Sequence, residues 1–257
     1  MQLEGVRIIV TGGARGIGEA TVRAYVAEGA HVASLDVLDD AGRAVVDEVG
    51  GKGPGRARYV HADIARRAEV DAAFDEAVGW LGGLDVLANV AGVERHGAAE
   101  ELTDEEWDLV FDVNVKGTLH TNQAAFRAMR DHGGRILNFG SDAGLNPYPG
   151  GGHYSASKGA VMAWTRTAAV EWARYGITVN SVVPAIWTPM YDEYRARMSA
   201  EELATHDAAM AATVPLGGRL GDPVRDLAPV MVFLAGDGAR FITGQIISVN
   251  GGLNTVR

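Results

Sequence analysis

Residues 6–18 read VRIIVTGGARGIG. Val6 to Val10 is a short β-branched run of the kind that becomes a buried strand, and Thr11-Gly12 opens a turn. Gly16 and Gly18 follow, with Ile17 to Ala24 in helical spacing. A strand feeding a glycine turn and a helix amino terminus is the outline of a dinucleotide site. Gly12 permits the tight turn, while Gly16 and Gly18 let backbone and helix come close. The free N–H groups and the helix dipole favour a pyrophosphate. Glycine turns also arise for steric reasons alone, so the placement between strand and helix is what gives this one its meaning.

Outward from this turn the same rhythm repeats. Apolar runs at 31–35, 58–60, 84–88, 135–139, 178–183 and 246–249 alternate with segments of helical period at 40–49, 66–80, 103–131, 154–175 and 223–235. Strand and helix in alternation predict an α/β fold: one doubly wound Rossmann domain over 1–257, with about seven parallel strands flanked by helices on both faces. Gly50, Gly51, Gly53 and Gly55 with Pro54 read as a turn-rich connection without chemistry. The rhythm breaks from about 185 to 220. There Trp187, Met190, Tyr191, Tyr194, Met198 and Met210 punctuate a helical pattern with no strand. Two readings fit this insertion: a lid over a ligand, and an extra helical pair on the surface.

Composition removes several classes of function. The 257 residues contain no Cys, which excludes disulfide scaffolds, thiolate metal sites and cysteine nucleophiles. A net charge of −10 argues against a nucleic-acid partner. The amino terminus shows no cationic start followed by a cleavable apolar stretch, and no apolar run is long enough to span a bilayer, so no membrane association and a cytoplasmic location are expected. The seven His residues have no pairing of metal-ligand spacing, so no metal is expected. The 34 Gly residues are roughly twice the usual share of ~7%, and many sit at predicted strand and helix ends.

Polar residues collect at the carboxyl ends of the predicted strands, the edge where open α/β sheets bind ligands: Asp36, Asp63, Asn89 with Ala91-Gly92, Ser141 and Pro184. A carboxylate at Asp36 would accept the adenosine ribose hydroxyls and repel a 2′-phosphate. Val37 and Leu38 bring no cation to offset it, which predicts NAD over NADP; Arg15 is the one nearby cation that could soften the preference. The alternative for Asp36 is a helix cap. Tyr154 and Lys158 stand four apart on a predicted helix and can face one cleft. A neighbouring ammonium, and the positive nicotinamide of an oxidised cofactor, are expected to lower the phenol's pKa towards neutrality.

Taken in order, TGGARGIG at 11–18, NVAG at 89–92, Asn114 within FDVNVKG, Ser141 within NFGSDAG, YSASK at 154–158 and FITGQIISVNGG near the end resemble the short-chain dehydrogenase/reductase family over nearly the whole chain. The resemblance implies a catalytic tetrad of Ser141, Tyr154, Lys158 and Asn114, with Asn114 holding a water near Lys158. It implies NAD contacts from Gly12, Arg15, Gly16, Ile17, Gly18, Asp36, Asp63, Ile64, Asn89, Ala91, Gly92, Tyr154, Lys158, Pro184 and Thr188. A homotetramer built partly on the helices at 103–131 and 154–175 is implied as well. Three departures stand out: Val90 replaces a frequent second Asn, Pro184-Ala185 replaces a Pro-Gly pair, and Thr188 comes one residue early.

The expected reaction is reversible hydride transfer between NAD and a small-molecule secondary alcohol or ketone. Trp187, Met190, Tyr191 and Tyr194 suggest an apolar, roomy substrate pocket. His96 and His153 are further substrate candidates, His153 alternatively being a partly exposed residue at a helix start. Trp164 and Trp172 read as core or subunit contact, and Thr103 with Glu106 as a capping box. The rival readings are a ketoreductase acting on acyl-carrier protein, which Asp36 and the negative charge disfavour, a sugar-nucleotide epimerase, and a non-catalytic nucleotide-binding regulator.

Overall fold

The protein, seen in a computed structural model describing residues 1–51 and 53–254, is built on seven parallel strands in the order β3-β2-β1-β4-β5-β6-β7. The strands are β1 (Arg7–Thr11), β2 (His31–Asp36), β3 (Arg56–His61), β4 (Val86–Asn89), β5 (Gly134–Phe139), β6 (Ile177–Pro184) and β7 (Ile246–Val249). Each agrees with an apolar run to within a few residues. The connection between β2 and β3 turns at 50–51 and 53–55 as expected, Lys52 and residues 255–257 lying outside the described residues.

Strand alternation builds two cores. Ile8 and Val10 face one side with Val22, Tyr25, Val26 and Met231, whereas Ile9 faces the other with Phe74, Leu87, Ile136 and Trp172. Helices α1 (Gly16–Ala27), α2 (Asp39–Val49), α3 (Arg67–Leu81), α4 (Asp104–Phe111), α5 (Gly117–Met129) and α6 (Gly152–Trp172) cover the sheet, joined by α9 (Ala228–Ala235) near the carboxyl terminus. Thr103 and Glu106 form the expected capping box at α4. Trp172 is core, stacked on Phe126, and the half-buried Trp164 donates to Asn122 Oδ1 at 3.0 Å.

Two features depart from the helical periodicity. The expected helix at 103–131 is interrupted by a wider π-helical turn, Asp112–Lys116, closed by Gly117 N–H donating to the Asp112 carbonyl. The segment after β6 holds two helices, α7 (Pro189–Arg195) and α8 (Ala200–Thr213), neither of which buries a residue. Among the described residues no helix is long and apolar enough to cross a membrane.

The strand order reverses direction between β1 and β4, so their carboxyl ends open a crevice at the centre of the sheet. Everything that matters chemically lies around it.

Candidate active site

The glycine turn after β1 is shaped by close approach. Gly12 has φ +71°, and a Cβ there would stand 2.8 Å from the Ala91 backbone; a Cβ on Gly18 would overlap the Gly12 carbonyl oxygen. The Arg15 side chain does not cap α1, so the N–H groups of the first turn are not held by it. A backbone cradle that side chains would fill, at a helix amino terminus at the switch crevice, fits a nucleotide pyrophosphate.

Asp36 ends β2 beside this turn. Its Oδ2 accepts from Ala14 N–H at 3.0 Å and its Oδ1 from Val37 and Leu38 N–H at 2.8 and 3.0 Å. It therefore braces the glycine turn and does not cap α2, whose N-cap is Leu38. Asp63 accepts from Ala65 N–H at 3.0 Å and from Arg66 Nε at 3.2 Å. Arg15 pairs with Glu193 of α7 at 3.1 Å, and Thr188, the N-cap of α7, lies with Pro189 against Gly16. The segment after β6 thus touches the nucleotide turn despite its altered start at Pro184-Ala185.

Two expected contact residues turn inward. Asn89 is buried, accepting from Thr11 and Thr121 hydroxyls at 3.0 and 2.9 Å and donating to Thr118 Oγ1 at 3.1 Å. Ile64 is buried in the core beside Gly117. Neither side chain faces the crevice; only their backbones remain available to a ligand.

Ser141, just past β5, starts a short turn in which its Oγ accepts from Ala143 N–H at 3.2 Å. Tyr154 and Lys158 sit one turn apart on α6, with Lys158 Nζ 5.7 Å from the centre of the Tyr154 ring. Lys158 is buried and donates to the Phe139 carbonyl at 2.9 Å. Asn114 lies on the π-helical turn, where its Oδ1 accepts from Val93 N–H at 2.8 Å and its Nδ2 donates to Val93 O at 2.9 Å and Ser157 Oγ at 3.0 Å. Ser157 in turn donates to the Tyr154 carbonyl at 2.7 Å. Gly92 keeps room between these groups, since a Cβ there would stand 3.1 Å from Asn114 Oδ1 and 3.3 Å from Lys158 Nζ. Tyr154, Lys158 and Asn114 therefore come together, with Asn114 latching the loop after β4 to α6.

Two expectations are corrected. The Tyr154 phenol is raised above its ordinary pKa, by burial and then by the negative charge of Glu94, with Ser141 offsetting part through a hydrogen bond. The lowering expected from Lys158 does not outweigh these causes, its ammonium standing 5.7 Å from the ring centre. Burial brings the ammonium down to about 8, and its proton points to a carbonyl. His153 is also fully buried, with neither ring nitrogen hydrogen-bonded among the described residues, and is neither partly exposed nor on the cleft surface. Leu102, from the stretch following β4, covers the start of α6, packing near Gly97 and Gly152.

The other substrate candidates gather at α7 and the loop after β4. Trp187 donates to Asp192 Oδ1 at 2.8 Å and meets Tyr191 edge-on at 4.9 Å; the Tyr191 hydroxyl is 2.6 Å from His206 Nε2. His96 stacks on Tyr194 at 4.9 Å, bringing α7 over the loop after β4. Sequence reasoning missed Glu94 and Tyr148. Glu94 Oε1 accepts from the Tyr148 hydroxyl at 2.7 Å and lies 3.2 Å from His96 Nε2, and the Tyr148 ring is 6.3 Å from that of Tyr154. No helical or strand period links these loop positions, so no pattern could have revealed them. Among the described residues no cluster of side chains could hold a metal ion.

Residues 7–199 match the family described as short chain dehydrogenase. The short-chain reductase protein NovJ of Streptomyces niveus is 39% identical over 247 residues, covering 95% of this chain and 92% of its own. The (2S)-[(R)-hydroxy(phenyl)methyl]succinyl-CoA dehydrogenase subunit BbsD of Thauera aromatica is 38% identical over 248 residues, with coverage of 95% and 94%. The crystal structure of a short-chain type dehydrogenase/reductase from Mycobacterium marinum superposes with a TM-score of 0.87 at 33% identity, covering 99% of this chain and 97% of that one. Likeness of this extent, in sequence and in fold together, means that the chain belongs to the short-chain dehydrogenase/reductase family, oxidoreductases of alcohols and ketones that work with a nicotinamide cofactor.

Proposed function

We propose that the protein is an NAD-dependent dehydrogenase that interconverts a secondary alcohol and its ketone, with Ser141, Tyr154, Lys158 and Asn114 as its working residues. The observation that carries this reading is the meeting of Tyr154, Lys158 and Asn114 beside Gly92, across the crevice from the glycine turn. Gly12, Gly16, Ile17 and Gly18 would hold the pyrophosphate, Asp36 the adenosine ribose, and Asp63, the Ala91-Gly92 backbone, Pro184 and Thr188 the remainder. When bound, the nicotinamide accepts or gives the hydride and adds a positive charge to the site.

The protein's own part is proton handling and positioning. Ser141 holds the substrate oxygen while Tyr154 takes its proton in oxidation or returns it in reduction. Donors aimed at this oxygen count most as it becomes alkoxide-like. A phenol raised by burial and by Glu94 is a ready proton donor for carbonyl reduction; for oxidation it needs nearby positive charge. Lys158 supplies that charge and binds the nicotinamide ribose.

NAD is favoured over NADP by Asp36 and by the Arg15–Glu193 pair, which directs the nearest cation towards α7. The pair α7 and α8 serves as the substrate lid of a single domain. The working form is a cytoplasmic homotetramer, for which exposed Trp107 and Leu109 on α4 and Val170 on α6 supply apolar contact; the mass in solution tests this. The reaction is tested with Tyr154→Phe. Turnover of secondary alcohols should disappear while NADH binding, read by fluorescence, stays within about threefold. Undiminished turnover would remove Tyr154 from the mechanism, and wild-type preference for NADP would remove the reading of Asp36.

A further inference from the structure

The proposed reaction explains Tyr154 and Lys158 but leaves without a task a carboxylate whose charge both of them feel. Glu94 follows β4 on the ligand edge of the sheet, its side chain only 19% exposed. Its Oε1 is engaged by Tyr148 and His96, while Oε2 has no hydrogen-bond partner among the described residues. Burial opposes its charge, yet the contacts from His96 and Tyr148 and the nearby Lys158 prevail and keep it ionised.

This charge works against the chemistry beside it, because it disfavours the Tyr154 phenolate. A negative group that hinders the base is useful if the occupant of the cleft gains more from it. On its far side His96 stacks on Tyr194 of α7, so the wall is roofed by aromatic rings and closed towards the lid.

We propose that Glu94, framed by Tyr148 and His96, is a substrate subsite for a second hydroxyl group, so that the preferred substrate is a cyclic diol or the matching hydroxyketone. The free oxygen is an acceptor only, so it selects a hydrogen-bond donor. A neutral hydroxyl is the donor of choice, since Lys158 already supplies positive charge that a cationic substrate would have to face. A substrate carboxylate at the same point would meet like charge. The apolar pocket read from Trp187 and Tyr191 is therefore polar along one wall. The inference rests on the alcohol dehydrogenase reading above.

The test uses the full chain with NAD and with NADP, measuring kcat/KM for cyclohexanol, the 1,2-, 1,3- and 1,4-cyclohexanediols and 4-hydroxycyclohexanecarboxylate. The best diol is expected to exceed cyclohexanol by at least about tenfold in the wild type. Glu94→Gln should shrink the diol-to-cyclohexanol ratio about tenfold, as a charge-assisted bond becomes a neutral one, and raise the hydroxycarboxylate relative to cyclohexanol. A wild-type preference for cyclohexanol, or a ratio unchanged within about twofold in Glu94→Gln, overturns the subsite while leaving the dehydrogenase intact. Should Glu94→Gln not fold, the wild-type ratio alone decides. Absence of turnover on every alcohol with either cofactor overturns the parent reading as well.

Discussion

Replacing Asn114 by Ala removes three hydrogen bonds at once, two to the backbone of Val93 and one to Ser157 Oγ. The residue is 1% exposed, so water does not readily replace them. At about 1 kcal/mol net for each bond the loss is about 3 kcal/mol, and more where the Val93 N–H and carbonyl stay unpaired. For a chain of this size each kcal/mol lowers the melting temperature by roughly 2–4 °C, which gives a drop of roughly 6–12 °C. Circular dichroism at fixed protein concentration reads it, with concentration held because subunit association would shift the midpoint. Activity should fall further than stability requires, since Ser157 loses the group that orients it and the loop carrying Glu94 loses its latch. A kcat/KM reduction of at least about tenfold at 25 °C, where the variant is still folded, is expected. A melting temperature within about 1 °C of the wild type would refute this account of Asn114 as a latch.

Gly18→Ala should be more damaging than its small size suggests, because the new methyl would overlap the Gly12 carbonyl; lost cofactor binding by fluorescence titration is the expected result, and unchanged affinity would contradict the close-packed turn. His153→Phe should flatten stability on the acid side. Burial holds the native imidazole below 6.5, so the unfolded chain binds the proton first, and stability is lost as pH falls from about 6.5 towards the native value. Urea midpoints at about pH 7.5 and 5.5 should therefore draw together in the variant, and a wild-type gap that survives the substitution would point to another group.

The strands and the ligand edge were legible because both follow from chain-local signals: β-branched runs, glycine turns and a polar residue at each run's end. The Tyr154–Lys158 pairing was legible for a related reason, as a spacing of four places two side chains on one helix face. The π-helical turn at Asn114 was not, since VFDVNVKG keeps an ordinary helical pattern while one wider turn changes which direction Asn114 faces. His153 was misjudged because a position at a helix start reads as partly exposed, whereas the stretch carrying Leu102 closes over that start. The shift of Tyr154 was misjudged in sign because its causes, burial first and then Glu94, 60 residues away in sequence, exist only once the chain is folded.

The seam between β1 and β4 has a consequence for how the chain reaches this structure. Thr11 and Asn89 are register partners 78 residues apart, the longest separation between neighbouring strands in the sheet, against 24 for β1 and β2. Closing the longer loop costs only about 1 kcal/mol more in chain entropy, but contacts so distant in sequence slow folding considerably. The seam is also where a one-residue slip is least tolerable. The buried Asn89 amide bonds to hydroxyls on β1 and α5, and a shifted register would strand them away from water. The polar cluster that withdrew Asn89 from the ligand thus acts as an alignment pin for the pairing most distant in sequence that the sheet must find.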